Sequence, residues 1–155
     1  MSVCTRTKRP QEVHGKDYFF LSISEFKRKI AEGAFMEWEE VYAGSYYGTL
    51  KTQVANLWNQ GKAVVFDTNV QGGLQLKSYL KERALAIYVK VPSIKLLAER
   101  LRKRKTEPEE EQLLRMSIID QEASLAGKFD VILINKHLQT SLQNAQKLVD
   151  EFLEE

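Results

Sequence analysis

The stretch Ala63-Val64-Val65-Phe66-Asp67-Thr68-Asn69 decides how the rest of the chain is read. Four apolar residues run without alternation and stop at a carboxylate. That is the pattern of a strand covered on both faces, and such strands belong to parallel sheets. Working outward, Leu50, Val54, Leu57 and Trp58 recur at helical spacing ahead of Gly61, and residues 71–80 can form a further helix. Residues 84–89 and 131–134 repeat the buried-strand pattern. Pro92-Ser93 opens a helix carrying Ile94, Leu96, Leu97 and Leu101; residues 113–125 predict another, and residues 142–153 a closing amphipathic one. Strand and helix alternate, which predicts an α/β domain with a parallel sheet flanked by helices. Ligands of such sheets sit beyond the carboxyl ends of the strands, which directs attention to Asp67-Thr68-Asn69 and to Asn135.

The first fifty residues are less regular. Tyr18-Phe19-Phe20-Leu21 is a short apolar run that predicts a strand. Ser22-Ile23-Ser24-Glu25 fits a capping box, and Phe26, Ile30 and a stop at Gly33 complete a short amphipathic helix. Residues 35–47 are rich in aromatic side chains and read as extended pieces with a turn at Ala43-Gly44-Ser45.

Composition bounds the function. The 155 residues are 43% hydrophobic and 28% charged, enough for one domain with a sizeable core and unlike a disordered chain. Twenty-three Lys and Arg against 21 Asp and Glu leave +2, too little to imply a nucleic-acid or membrane partner. The single cysteine, Cys4, excludes an internal disulfide framework and a multi-cysteine zinc site, and suits a reducing compartment. No apolar run approaches the ~18 residues of a membrane span, and the N-terminus lacks a signal-peptide core. A soluble, cytoplasmic single domain is expected.

Three clusters carry candidate chemistry. Thr5-Arg6-Thr7-Lys8-Arg9 is followed by Glu12, Asp17 and Tyr18; two guanidinium forks three residues apart and a phenol could clamp a phosphate dianion. A solvated basic tail is the plainer alternative. Phe35-Met36-Glu37-Trp38-Glu39-Glu40 sets carboxylates among large apolar groups. Pointing inward, Glu37 could accept two parallel hydrogen bonds from an edge such as N1–H and the exocyclic amine of guanine; pointing outward, the acids are a strand's solvent face. Arg100, Arg102, Lys103, Arg104 and Lys105 precede Thr106, the acidic run Glu107-Pro108-Glu109-Glu110-Glu111, and Arg115. Such opposed charges suit either a lid that carries arginines onto phosphates or a solvated helix end. His14 and His137 suggest no metal site, Cys4 no nucleophile, and Gln71-Gly72-Gly73 only a turn into a helix.

Together these segments resemble a guanylate kinase. The resemblance runs from Ser2 through Thr5-Arg6, Arg9, Glu12 and Gly15-Lys16-Asp17-Tyr18, then Phe35-Met36-Glu37-Trp38 and Tyr46-Tyr47-Gly48-Thr49. It continues through Phe66-Asp67-Thr68-Asn69-Val70-Gln71-Gly72 and the lid-like Arg100-Leu101, Arg104 and Thr106 to Arg115, five blocks in the family order. It implies a P-loop kinase-like fold with a GMP-binding subdomain at about 2–49, a helical lid at about 100–125, and the remainder as core. It implies transfer of the γ-phosphoryl group of Mg-ATP to GMP, as in purine nucleotide metabolism. By position, Arg6, Arg9, Tyr18 and Tyr47 would hold the GMP phosphate, and Glu37 would read the N1/N2 edge of guanine. Ser2 and Thr49 would donate to O6, with Glu12, Asp67 and Asn69 in the same site. Arg104 and Arg115 would contact the ATP phosphates as catalytic lid arginines, Asn135 would lie near adenine, and Asp67 by the water shell of Mg²⁺.

The chain departs from the family at several points. Asn69 stands where a second aspartate is usual, Cys4 where threonine or serine is usual, and Lys105 where glycine is usual. None of the eight glycines begins a Gly-x-x-x-x-Gly-Lys-[Ser/Thr] loop, which in the family precedes the segment beginning here at Ser2, with the first strand and helix. The resemblance therefore implies a chain begun late, with exposed apolar sheet surface, unpaired strand edges, and little or no kinase activity. The alternative is an inactive guanylate-kinase-like module binding GMP or phosphorylated peptides. Such modules commonly carry proline at the position of Ser2, and the retained Ser2 favours the enzyme.

Overall fold

A computed structural model of the protein describes residues 2–104, 117–119 and 121–154. The chain divides into two compact units, Met1–Lys81 and Glu82–Glu155.

The first unit is built on a four-stranded sheet. Strand β1 (Val3–Cys4) pairs in parallel with β2 (Phe19–Phe20); on its other edge it runs antiparallel to β4 (Ser45–Leu50), which pairs antiparallel with β3 (Phe35–Tyr42). Helix α1 (Ile23–Ala31) starts with the expected capping box: the Ser22 hydroxyl accepts from the Glu25 amide, and the Glu25 carboxylate accepts from the Ser22 amide at 2.9 Å. It ends where Gly33 takes φ +62°, so that Gly33 and Ala34 donate back to Ile30 and Lys29. The helix lays Phe26 on the sheet, where it stacks on Phe35 at 4.3 Å and meets Tyr46 at 5.4 Å. Val3, Phe26, Phe35 and Tyr46 are the centre of this core. Burying a ring such as that of Phe26 contributes about 1.5–3 kcal/mol.

The β3–β4 hairpin is tied at its turn and closed tightly along its length. Thr5 donates its hydroxyl to the Gly44 carbonyl and accepts from the Tyr46 amide, both at 2.8 Å, so β1 and the turn are fastened together. At Gly48 a Cβ would lie 2.8 Å from the Glu37 carbonyl oxygen and 2.9 Å from the Trp38 Cβ. Only glycine lets the two strands approach that closely. Helices α2 (Lys51–Trp58) and α3 (Val70–Leu80) follow.

One expectation requires correction. Residues 62–69 form neither helix nor strand, and Val65 is 88% exposed. The apolar run Ala63–Phe66 expresses a tendency to be buried, whereas a strand exists only through its ladder. Among the described residues no strand pairs with it. The α/β class stands: the expected parallel pairing is that of β5 (Ile87–Lys90) with β6 (Val131–Ile134) in the second unit, while the first unit's four-stranded sheet is mixed.

In the second unit β5 begins later than the expected residue 84. Lys81–Arg83 form a single 3-10 turn, and Ala86 is then held by the Asp130 carboxylate at 2.8 Å. Helix α4 (Ile94–Arg104) matches the expected helix, and α5 (Leu138–Glu154) starts four residues before the periodic apolar pattern does. Of the helix expected over 113–125, residues 113–116 and 120 lie outside the described residues, and 117–119 and 121–124 are helical. Val89, Ile132 and Ile134 are about half exposed on the β5–β6 pair. No helix among the described residues is long and apolar enough to cross a membrane.

Candidate functional site

Alternation along the β3–β4 hairpin sorts its side chains. Glu37 opposes Thr49, and Glu39 opposes Tyr47, so these four share one face of the sheet. Tyr46, one residue out of phase, belongs to the core against α1. Sequence alone left Glu37 to point in or out, and it points in. Glu37 is 7% exposed and Thr49 6% exposed. Burial pushes the Glu37 carboxyl above its ordinary range; the Thr49 hydroxyl, donating to it, acts in the opposite sense, and the charge of Glu39 adds to the rise. Helix α3 begins just beyond: a Cβ on Gly72 would collide with Thr68 Oγ1 and lie 3.1 Å from Glu37 Oε2. A buried carboxylate beside a glycine at a helix start is an acceptor prepared for a planar donor edge. Thr49 has one hydroxyl proton, so it serves Glu37 or a ligand, not both at once.

Asn69 is the N-cap of α3. Its Oδ1 accepts from the Gly72 amide at 2.9 Å, and its Nδ2 donates to Glu39 Oε2. The sequence reading placed Asn69 at the site and assigned Glu39 no role. An Asn directly before a helical run is an N-cap signature, but its partner thirty residues upstream leaves no local trace.

The N-terminal cluster is organised by one ion pair. Arg6 holds Glu12 fork to fork, Nη2 to Oε1 at 2.5 Å and Nη1 to Oε2 at 2.7 Å. Glu12 Oε2 also accepts from the Arg9 amide at 2.8 Å, which fixes the turn between them. The Arg6 hydrogen bonds, with smaller help from the Arg9 backbone, hold the Glu12 carboxyl down at about 2. The guanidinium of Arg6 lies over the Tyr18 ring at 5.1 Å and the Phe20 ring at 5.6 Å. Burial raises the Tyr18 phenol, and the Arg6 charge opposes that rise.

A cleft of about 430 Å³ in this unit is lined by Ser2, Glu12, Tyr18, Thr49 and Asp67, with Lys16, Asp17 and Thr68 in the same wall. The structure thus brings five of the candidate residues to one cavity. Arg6 is joined to Glu12 of its wall, and Glu37 adjoins Thr49. Lys16 and Thr68 were not singled out by the sequence reading. Both lie inside its quoted blocks, without spacing that marks a role.

The remaining candidates belong to the second unit. The Asn135 amide donates to the Lys90 carbonyl at 2.8 Å, and Arg100 donates to the Asn135 and Lys136 carbonyls at 3.0 and 3.1 Å. Arg104 closes α4, while Arg115 and half of the expected lid lie outside the described residues. His14 uses its Nδ1 to accept from the Phe20 amide at 3.2 Å, and Cys4 is fully buried. Among the described residues no three His, Cys, Asp or Glu side chains gather as a metal site.

Comparison with known proteins meets this geometry. The pattern of the family described as guanylate kinase matches residues 1–152. A guanylate kinase of Bacteroides fragilis is 43% identical over 153 residues, covering 99% of this chain and 75% of that protein. One from Thermotoga maritima is 40% identical over 149 residues, covering 96% of this chain and 71% of that protein. The crystal structure of guanylate kinase from Anaplasma phagocytophilum superposes with a TM-score of 0.75 at 26% identity, covering 97% of this chain and 73% of that one. Matched along nearly its whole length, the chain belongs to the guanylate kinase family, whose members are phosphotransferases.

Proposed function

We propose that the first unit's cleft binds GMP and that the reaction served is transfer of the γ-phosphoryl group of Mg-ATP to the GMP phosphate, giving GDP and ADP. The observation that carries this reading is the buried Glu37 carboxylate, bonded to Thr49 and facing the start of α3. A carboxylate there accepts N1–H and N2–H of guanine in parallel, while Ser2 or Thr49 donates to O6. Adenine would leave these groups unpaired, at about 1–3 kcal/mol for each unsatisfied group.

Arg6, Arg9, Tyr18 and Tyr47 are assigned to the phosphate. Glu12 is assigned to holding Arg6 and the Arg9 turn, since its carboxylate would repel a phosphate and both its oxygens are engaged. Arg104 and Arg115 are assigned to the ATP phosphates and Asn135 to the adenine side. Mg²⁺ enters with ATP and supplies charge neutralisation on the phosphates. The donor set suits a cation that keeps waters and phosphate oxygens: Asp67 is exposed on the cleft wall, without a cage of carboxylates among the described residues. Asp67 would reach it through water. The lone, buried Cys4 fits a cytoplasmic setting.

Calorimetry with GMP and with a phosphoserine peptide tests the binding reading. Peptide binding tighter than GMP would favour an interaction module instead. A coupled ADP-release assay with Mg-ATP tests the transfer reading, and turnover of AMP as fast as that of GMP would overturn it.

A further inference from the structure

The side chain of Asn69 can be oriented in one way only. Turning its amide over would set Nδ2 against the Gly72 N–H and Oδ1 against the Glu39 carboxylate, two repulsive contacts in place of two hydrogen bonds. Helix α3 therefore dictates that Asn69 presents an N–H₂ group toward β3, and Glu39 is the carboxylate that receives it. An aspartate at position 69 would instead put two carboxylates together, and one of them would have to take up a proton.

Glu39 also stands at the right place on the hairpin. It lies two residues from Glu37 on the same face, and its cross-strand partner is Tyr47, next to Thr49's partner Glu37. It is close enough to Glu37 for its charge to be felt there. An ionised carboxylate has about four acceptor positions, and the Asn69 bond takes one.

We propose that Glu39, held by Asn69, is a specificity-determining residue: its carboxylate takes the second N–H of the guanine 2-amino group, the first being taken by Glu37. The negative charge that an aspartate at 69 would contribute is supplied here from the opposite side of the same hydrogen bond. This inference rests on the proposed binding of GMP.

The test compares GMP with IMP, which lacks only the 2-amino group, by calorimetry on the protein and three variants. The wild type is expected to prefer GMP. Glu39→Gln is expected to weaken GMP by about tenfold, the scale of one charge-assisted hydrogen bond, and to change IMP by less than about twofold. Asn69→Asp alone is expected to weaken GMP as well, because its carboxylate faces that of Glu39. The double variant Glu39→Gln/Asn69→Asp, which swaps the two groups, is expected to recover the preference for GMP. That recovery also separates recognition from damage to the fold. Equal losses for GMP and IMP in Glu39→Gln, or a GMP/IMP ratio within twofold of wild type, would overturn the role of Glu39 while leaving GMP binding standing. Absence of GMP binding by the wild type would overturn both readings.

Discussion

Arg6 and Glu12 grip each other through two parallel hydrogen bonds of 2.5 and 2.7 Å, six residues apart across a turn that Glu12 also ties at the Arg9 amide. The pair presents a cation whose direction is set before any anion arrives. Pre-orientation of this kind lowers the ordering cost of binding.

Glu12→Gln should therefore weaken GMP without abolishing the Arg6 charge, by about tenfold, the scale of losing the charge-assisted fork. The Glu12 carboxyl is held at about 2, below its ordinary 4.5. A depressed carboxyl contributes stability that is fully present above its unfolded value and is lost as pH falls toward the folded one. The pair should accordingly persist through mildly acidic solution. Carboxyl chemical shifts of Glu12 across an acid titration check this, and a midpoint near 4.5 would contradict it.

Glu37 carries the opposite sign. Burial, the main cause, raises its carboxyl above 4.5, so the folded protein loses stability as pH climbs from 4.5 through the raised value. Glu37→Gln should raise the melting temperature of the ligand-free protein by about 3 °C and weaken GMP by about a hundredfold. GMP affinity of the wild type should strengthen over the same pH interval, as the acceptor ionises, and the variant should show no such rise. Calorimetry and thermal melting across pH read both halves.

Gly48→Ala should damage the hairpin rather than the chemistry directly. The added methyl meets backbone at 2.8 Å, which cannot swing away. A loss of about 1–3 kcal/mol is expected from the overpacking. Urea midpoints measure it, and an unchanged midpoint would show that the strands part more easily than their spacing implies.

Phe26→Ala should unfold the first unit at modest denaturant, since the ring is fully buried between Phe35 and Tyr46. The expected cost is about 3–5 kcal/mol. Phe26→Leu, which keeps most of the apolar volume, should lose much less, and equilibrium unfolding of the two variants checks the ordering.

What the sequence made legible were features with local causes. The capping box at Ser22 and Glu25, the stop at Gly33 and the helical spacing ahead of Gly61 each depend on neighbours within a few residues, and each is present. Ala63–Phe66 misled because apolarity speaks of burial and not of which strand lies alongside. The early start of α5 was hidden because Gln139-Thr140-Ser141 carry no apolar period, although nothing in them opposes a helix. At the site, Glu37 was visible through its block, but its inward aim depends on pairing with Thr49. The Arg6–Glu12 bond and the Asn69–Glu39 bond were invisible, since side chains meeting across a loop or thirty residues apart obey no period.

The segment 62–69 that delivers Asp67 to the cleft also bears on how this polypeptide would associate with its own copies. With Val65 open to water and no ladder partner among the described residues, it offers a template onto which a second chain can add a strand. Loss by that route is bimolecular, so shelf life would be governed by protein concentration sooner than by temperature. Lys62 and Asp67 bracket the four apolar residues as charged gatekeepers, and neutralising Lys62 would speed precipitation without touching the core.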